Sequence, residues 1–164
     1  MFNEIFIILN IVVFLSGIQP DNPFVAMFHS SHFLWLVFYT TVLAAFGGKF
    51  EEQLGGTKFA FIYIAAGIIG NIGLLGIGAE EGIRMGAAAP LMGIVGALVA
   101  ISPMAYVVVE IFPMPAFVAA AFILLVHFIL RGGVDAFPFL AGMALGYSMK
   151  GSLPAEGQAQ MQRR

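Results

Sequence analysis

The chain has 164 residues, 60% of them hydrophobic and 10% charged, and no cysteine. Average soluble domains are about 45–50% apolar and about 25% charged, so a water-soluble domain of this size could not hide so much apolar surface. The net charge of −2 leaves no basic face for nucleic acid, and without cysteine there is no disulfide, thiolate nucleophile or cysteine metal site. The composition predicts a membrane protein with several spans.

In chain order, Phe2–Ile18 is the first apolar run, broken only by Asn3, Glu4 and Asn10. It lacks the positive leader of a cleaved signal and reads as a span. Gln19–Pro23 is a turn-rich loop. Phe24–Phe46 is the second predicted span, with His29 and His32 near its start, and Gly47–Thr57 is a polar, charged loop. Lys58–Gly78 is the third span, followed by a short loop, Ala79–Met85, that holds Glu80, Glu81 and Arg84. Gly86–Ile101 is the fourth and stops at Ser102-Pro103. Met104–Pro115 is apolar but contains Glu110, Pro113 and Pro115, and reads as an interfacial connection. Ala116–Leu130 and Val134–Met149 complete the set. The expected fold is all-α: residues 1–150 form a six-helix membrane domain, and residues 151–164 form a polar, disordered cytoplasmic tail.

The basic residues set an orientation. Lys49, Lys58, Lys150, Arg163 and Arg164 fall on one side, and Arg84 and Arg131 on the other. Both termini are therefore expected in the cytoplasm. Small residues recur at four-residue spacing in Ala89, Gly93 and Ala97, and again in Gly142 and Gly146. Such stripes let helices approach closely in lipid, so the fourth and sixth spans are expected to be central and touching.

The polar inventory is short. His29 and His32 share one helical face and could donate to an oxyanion or bind a metal, but no third ligand is evident. Water or backbone bonding at the interface accounts for them as well. His127 reads as an interfacial polar residue. Asp135 reads as the N-cap of the sixth span, and Glu110 as a solvated carboxylate at the inner interface. Trp35 reads as a packing residue. No phosphate loop, dinucleotide fingerprint or zinc-protease motif occurs, and neither a metal nor a cofactor is expected.

Phe46–Tyr63 carries Gly47, Glu51, Gly55, Phe59 and Tyr63 at four-residue intervals. This resembles the pattern that follows the second span in the rhomboid family. Gly86-Ala87-Ala88-Ala89-Pro90-Leu91-Met92-Gly93-Ile94-Val95-Gly96-Ala97 resembles that family's serine-bearing fourth helix. Phe139-Leu140-Ala141-Gly142 with Gly146 resembles the end of its histidine-bearing sixth helix.

The resemblance implies a six-helix rhomboid bundle. In active rhomboids a serine on the fourth span attacks the scissile carbonyl and a histidine on the sixth is its base. A histidine and an asparagine on the second span help hold the oxyanion. By the same resemblance Ala88 stands at the serine position, followed by Ala89 and by Pro90, which has no backbone N–H. Asp135 stands at the histidine position, with Phe139 there in a rival register. His32 matches the oxyanion histidine and Leu36 replaces the asparagine; if His29 is used instead, the asparagine position falls on Phe33. The loop Gln19–Pro23 is much shorter than the family's first loop.

No catalytic residue is therefore expected. Gly47, Glu51, Gly55, Gly86, Gly93, Gly142 and Gly146 remain as fold motifs, and His29, His32 and Asp135 as a polar indentation. The expected partners are the lipid bilayer and transmembrane segments of other proteins, with no nucleic acid and no small-molecule cofactor. The alternative is an intramembrane serine endopeptidase with a relocated nucleophile, Ser30 or Ser31. A channel is disfavoured because Glu110 and Asp135 fall at opposite ends of the spans with no ionisable chain between them.

Overall fold

A computed structural model describes residues 2–18, 22–76, 86–109, 112–131 and 134–152. Glu80, Glu81, Arg84, Glu110, most of Gln19–Pro23 and the tail from residue 153 lie outside the described residues. The chain is a helical bundle with one small hairpin. Its helices are α1 (Phe2–Ser16), α2 (Pro23–Ala26), α3 (Phe33–Val42), α4 (Gly48–Leu54), α5 (Gly56–Gly76), α6 (Ala88–Ile101), α7 (Ala116–Arg131) and α8 (Ala136–Met149). Strands β1 (Tyr106–Val109) and β2 (Phe112–Pro115) pair antiparallel between α6 and α7.

Two predicted boundaries are corrected. The second span does not begin at Phe24: α2 ends at Ala26, a turn carries His29 to Ser31, and α3 starts after His32. At its other end the helix does not stop at Phe46. A π-turn, Leu43–Gly47, joins α3 to α4, so Gly47–Leu54 is helical rather than loop. Charged residues there misled the reading, because Lys49 and Glu52 pair with each other at 2.8 Å on the helix surface. Gly55 makes the break, at φ 86°, a conformation that a side chain would strain. Among the described residues, Phe33–Leu54 is the one helix long and apolar enough to cross a bilayer by itself, and five others are shorter apolar helices.

The predicted centre of the bundle is present. Every residue from Ala88 to Leu98 on α6 is buried. Gly93 faces Gly142 and Pro138, Gly96 faces Phe139 and Met143, and Ala97 faces Gly146. Positions rise together on both helices, so α6 and α8 run parallel in close contact. A methyl group on Gly142 would run into the Gly93 carbonyl. The outside of the bundle is inverted relative to a soluble protein. Ile8, Leu15, Leu34, Phe61, Phe128 and Leu140 are all more than half exposed, on five different helices. Water would penalise that surface, and lipid would not.

Candidate functional site

The retained glycine–glutamate pattern builds a socket for α1. Both carboxylate oxygens of Glu51 accept N–H groups from the first turn of α1, from Phe2 and Asn3, at 3.0 Å each. Those donors have no partner within their own helix, so a carboxylate from α4 caps α1. With its amide nitrogen toward the Leu43 carbonyl (3.0 Å) and its oxygen toward the Gly48 N–H (3.2 Å), Asn3 serves the backbone beside the π-turn. Gly47 is needed there because a side chain would strike Asn3 and Phe59. Further along, Phe6 packs on Phe59 and Tyr63, and Asn10 Nδ2 donates to the Tyr63 hydroxyl at 2.9 Å and to the Phe6 carbonyl at 2.7 Å. All five pattern residues therefore act at the joint between α1, α4 and α5.

The opposite end of the bundle holds the positions at which chemistry would sit. Ala88 opens α6 and is fully buried. Just before it, Gly86 adopts φ 58°, and any side chain there would collide with the His29 carbonyl. That carbonyl accepts the Ala87 N–H at 2.9 Å. Asn71 completes the clamp: its Oδ1 accepts from Gly86 N–H at 3.1 Å, and its Nδ2 donates to the carbonyls of Gly67 (2.8 Å) and Gly86 (3.4 Å). Asn71 was missed in the sequence, although an asparagine amid an apolar helix is the signal that would have found it.

Of the candidate histidines, His32 is exposed at the start of α3 and makes no side-chain cap bond. His29 is half-buried, with Nδ1 buried and without a hydrogen-bond partner. Leu36 is buried on α3. Ser30 is buried and its Oγ has no partner.

His127 and Asp135 overturn their predicted roles. Both are buried: His127 is 0% and Asp135 1% exposed. His127 Nδ1 and Asp135 Oδ2 share a hydrogen bond at 2.8 Å. Asp135 does precede α8, but its side chain makes no cap bond and turns to α7 instead. Three aromatic rings of α3 wall the imidazole. Trp35 meets it edge-on at 5.4 Å between centroids, Phe38 lies at 5.7 Å and Tyr39 at 6.0 Å. The pair thus ties α7 to α8 against α3. In so apolar a setting, breaking this contact would leave buried polar atoms without it, which is costly. Trp35 does pack, as expected, here on Tyr39 as well as His127.

The parallel pairing of α6 and α8 also fixes levels. Gly93 lies across from the stretch Pro138–Gly142, and Ala97 from Gly146.

The family model of the Rhomboid domain matches residues 22–153. The chain belongs to the rhomboid family. No curated protein and no solved structure matches it. This rhomboid is a helical membrane protein, and the matched segment includes the Gly47–Tyr63 side of the socket and the α6–α8 contact, with α1 outside it.

Proposed function

We propose that this rhomboid spans the membrane six times, with both termini in the cytoplasm, and binds transmembrane helices of other proteins without cleaving them. One observation carries the reading: the first position of α6, where the family resemblance sets the serine, holds the methyl group of Ala88. A methyl cannot attack a carbonyl. By the same resemblance Asp135 stands at the histidine position, and its carboxylate lies 2.8 Å from His127 Nδ1. Losing a member of a catalytic set costs orders of magnitude in rate, and here both members of the dyad are replaced. The exposed apolar helix faces support contact with lipid and with other helices.

The test is to reconstitute the protein in vesicles with fluorescently labelled single-span helices. Energy transfer to intact helices, competed by unlabelled copies, is the expected result. Cleavage products from the unmodified protein would overturn the reading. Span number and orientation are checked with single cysteines at Lys49 and Arg84, which should label from opposite sides of sealed vesicles.

Ser30 favours a second reading, an endopeptidase with a moved nucleophile. Its hydroxyl is buried and unpartnered next to His29, whose carbonyl holds the start of α6. In that case any product formed should vanish in Ser30→Ala.

A further inference from the structure

The connection between α6 and α7, read from the sequence as an interfacial connection, is a built hairpin. Its register pairs Tyr106 with Pro115, Val107 with Met114, Val108 with Pro113 and Val109 with Phe112. Opposed residues share a face. Val107 is buried and Val109 and Met114 pack on the core, so that face turns inward except at its tip, where Phe112 is 63% exposed. Tyr106, Val108 and Pro113 form the other face. Tyr106 is 62% exposed and Val108 55%. None of these residues is charged.

The base of the hairpin is fixed to the ends of two helices. Ala116 N–H donates to the Ala105 carbonyl at 2.8 Å, and Phe117 N–H to the Pro103 carbonyl at 3.0 Å. Ser102 Oγ donates to Gln53 Oε1 at 2.8 Å, which joins the base to α4. Strand β2 begins α7 without an intervening residue. If α6 and α7 cross the bilayer, the hairpin has no tether with which to leave its boundary. Phe117 and Val118, the next exposed residues on α7, continue the same apolar surface.

The prolines say which medium the free edge suits. The Ala116–Ala105 bond continues the ladder of bonded pairs, which alternates with the pairs that contain Pro113 and Pro115. The prolines therefore occupy the β2 positions whose N–H would point away from β1. Proline has no N–H, so the free edge of β2 presents no donor at either position. A strand of a protein partner would find nothing there to accept from. In lipid, the same absence removes the cost of unsatisfied donors.

We propose that this hairpin is a lipid-seated wedge: Tyr106, Val108 and Pro113 enter the headgroup–acyl boundary of the leaflet at the α6 C-terminal end. The seat does not depend on anionic lipid, because the described hairpin carries no basic residue. A tyrosine at that depth fits the preference of aromatic side chains for the interface. The inference rests on the reading of α6 and α7 as membrane spans.

The natural chain has no cysteine, so single introduced cysteines report unambiguously. An environment-sensitive label is placed in three variants, Val108→Cys, Leu125→Cys on the outward face of α7, and Glu52→Cys on α4 at the hairpin end. A fourth, Tyr106→Cys, repeats the hairpin measurement at a second position. The reconstitution uses phosphatidylcholine alone. Quenching by iodide in water is compared with quenching by spin-labelled acyl chains. The expected result is iodide quenching several-fold weaker at positions 108 and 106 than at 52, with the strongest lipid quenching from shallow spin labels. Positions 108 and 106 as open to iodide as 52, with 125 still quenched by lipid, would overturn the wedge and leave the spans standing. All positions open to iodide would overturn the spans and the wedge together. Protection that appears only with anionic lipid would overturn the charge-independent seat.

Discussion

Both ends of the bundle use polar side chains to hold backbone, and the Ala88 end adds a buried pair that ties two helices together. At the Glu51 end, Glu51 caps α1, and Asn3 bonds beside the π-turn. At the Ala88 end, Asn71 holds the backbone at Gly86, His127 meets Asp135, and the first position of α6 is a methyl. The family's structural pattern is retained where it docks a helix. On the proposed reading, what is replaced is the set of groups that would cut. A scaffold can keep its packing motifs without its chemistry, because the two depend on different residues at different ends.

The sharpest way to break this contrast is to remove one partner of the buried pair. Asp135→Ala or His127→Ala should each destabilise the bundle by about 3–5 kcal/mol, since an isolated buried charge or donor remains. The double variant His127→Leu/Asp135→Leu should recover most of that loss. Unfolding in mixed micelles measures both, and additive losses would show that the pair is not a unit.

Next in size is the α6–α8 contact. Gly142→Ala should cost about 1–3 kcal/mol or more, because the methyl meets the Gly93 backbone. Gly48→Ala, whose methyl would lie at an ordinary 3.7 Å from Asn3, should change stability little. Equal effects in the same unfolding assay would contradict the account of the stripe.

At the other end, Glu51→Ala should cost about 1–2 kcal/mol by freeing two donors of α1, with Glu51→Gln milder. Hydrogen exchange of the Phe2 and Asn3 amides is the direct check, and it should quicken in Glu51→Ala alone or most strongly. The smallest effect is expected for Tyr63→Phe, about 1 kcal/mol or less, because Asn10 keeps its bond to the Phe6 carbonyl.

What was legible in the sequence follows from how local each signal is. The glycine stripes of α6 and α8 were readable because four-residue spacing fixes a helix face, and the face needs no knowledge of its partner. The family and the helical class were readable from the spacing of Gly47, Glu51 and Gly55 and from composition. The helical nature of Gly47–Leu54 was hidden by its charges, which sit on a helix surface rather than in a loop. The hairpin was hidden by Pro113 and Pro115, which look like breakers and yet fall on an edge where no N–H is needed. The His127–Asp135 pair was hidden because its meaning is tertiary. Only the packing of α7 and α8 against Trp35 and its neighbours turns two polar residues near helix ends into one buried contact.

The central claim is that the scaffold persists and the cutting groups do not. It is tested by incubating the unmodified protein in bilayers with a panel of transmembrane substrates, beside Ala88→Ser/Asp135→His, with the thermal unfolding of each recorded because the second substitution removes the partner of His127. The account predicts no product from the unmodified protein on any substrate. Product from the unmodified protein that survives purification to homogeneity would contradict it.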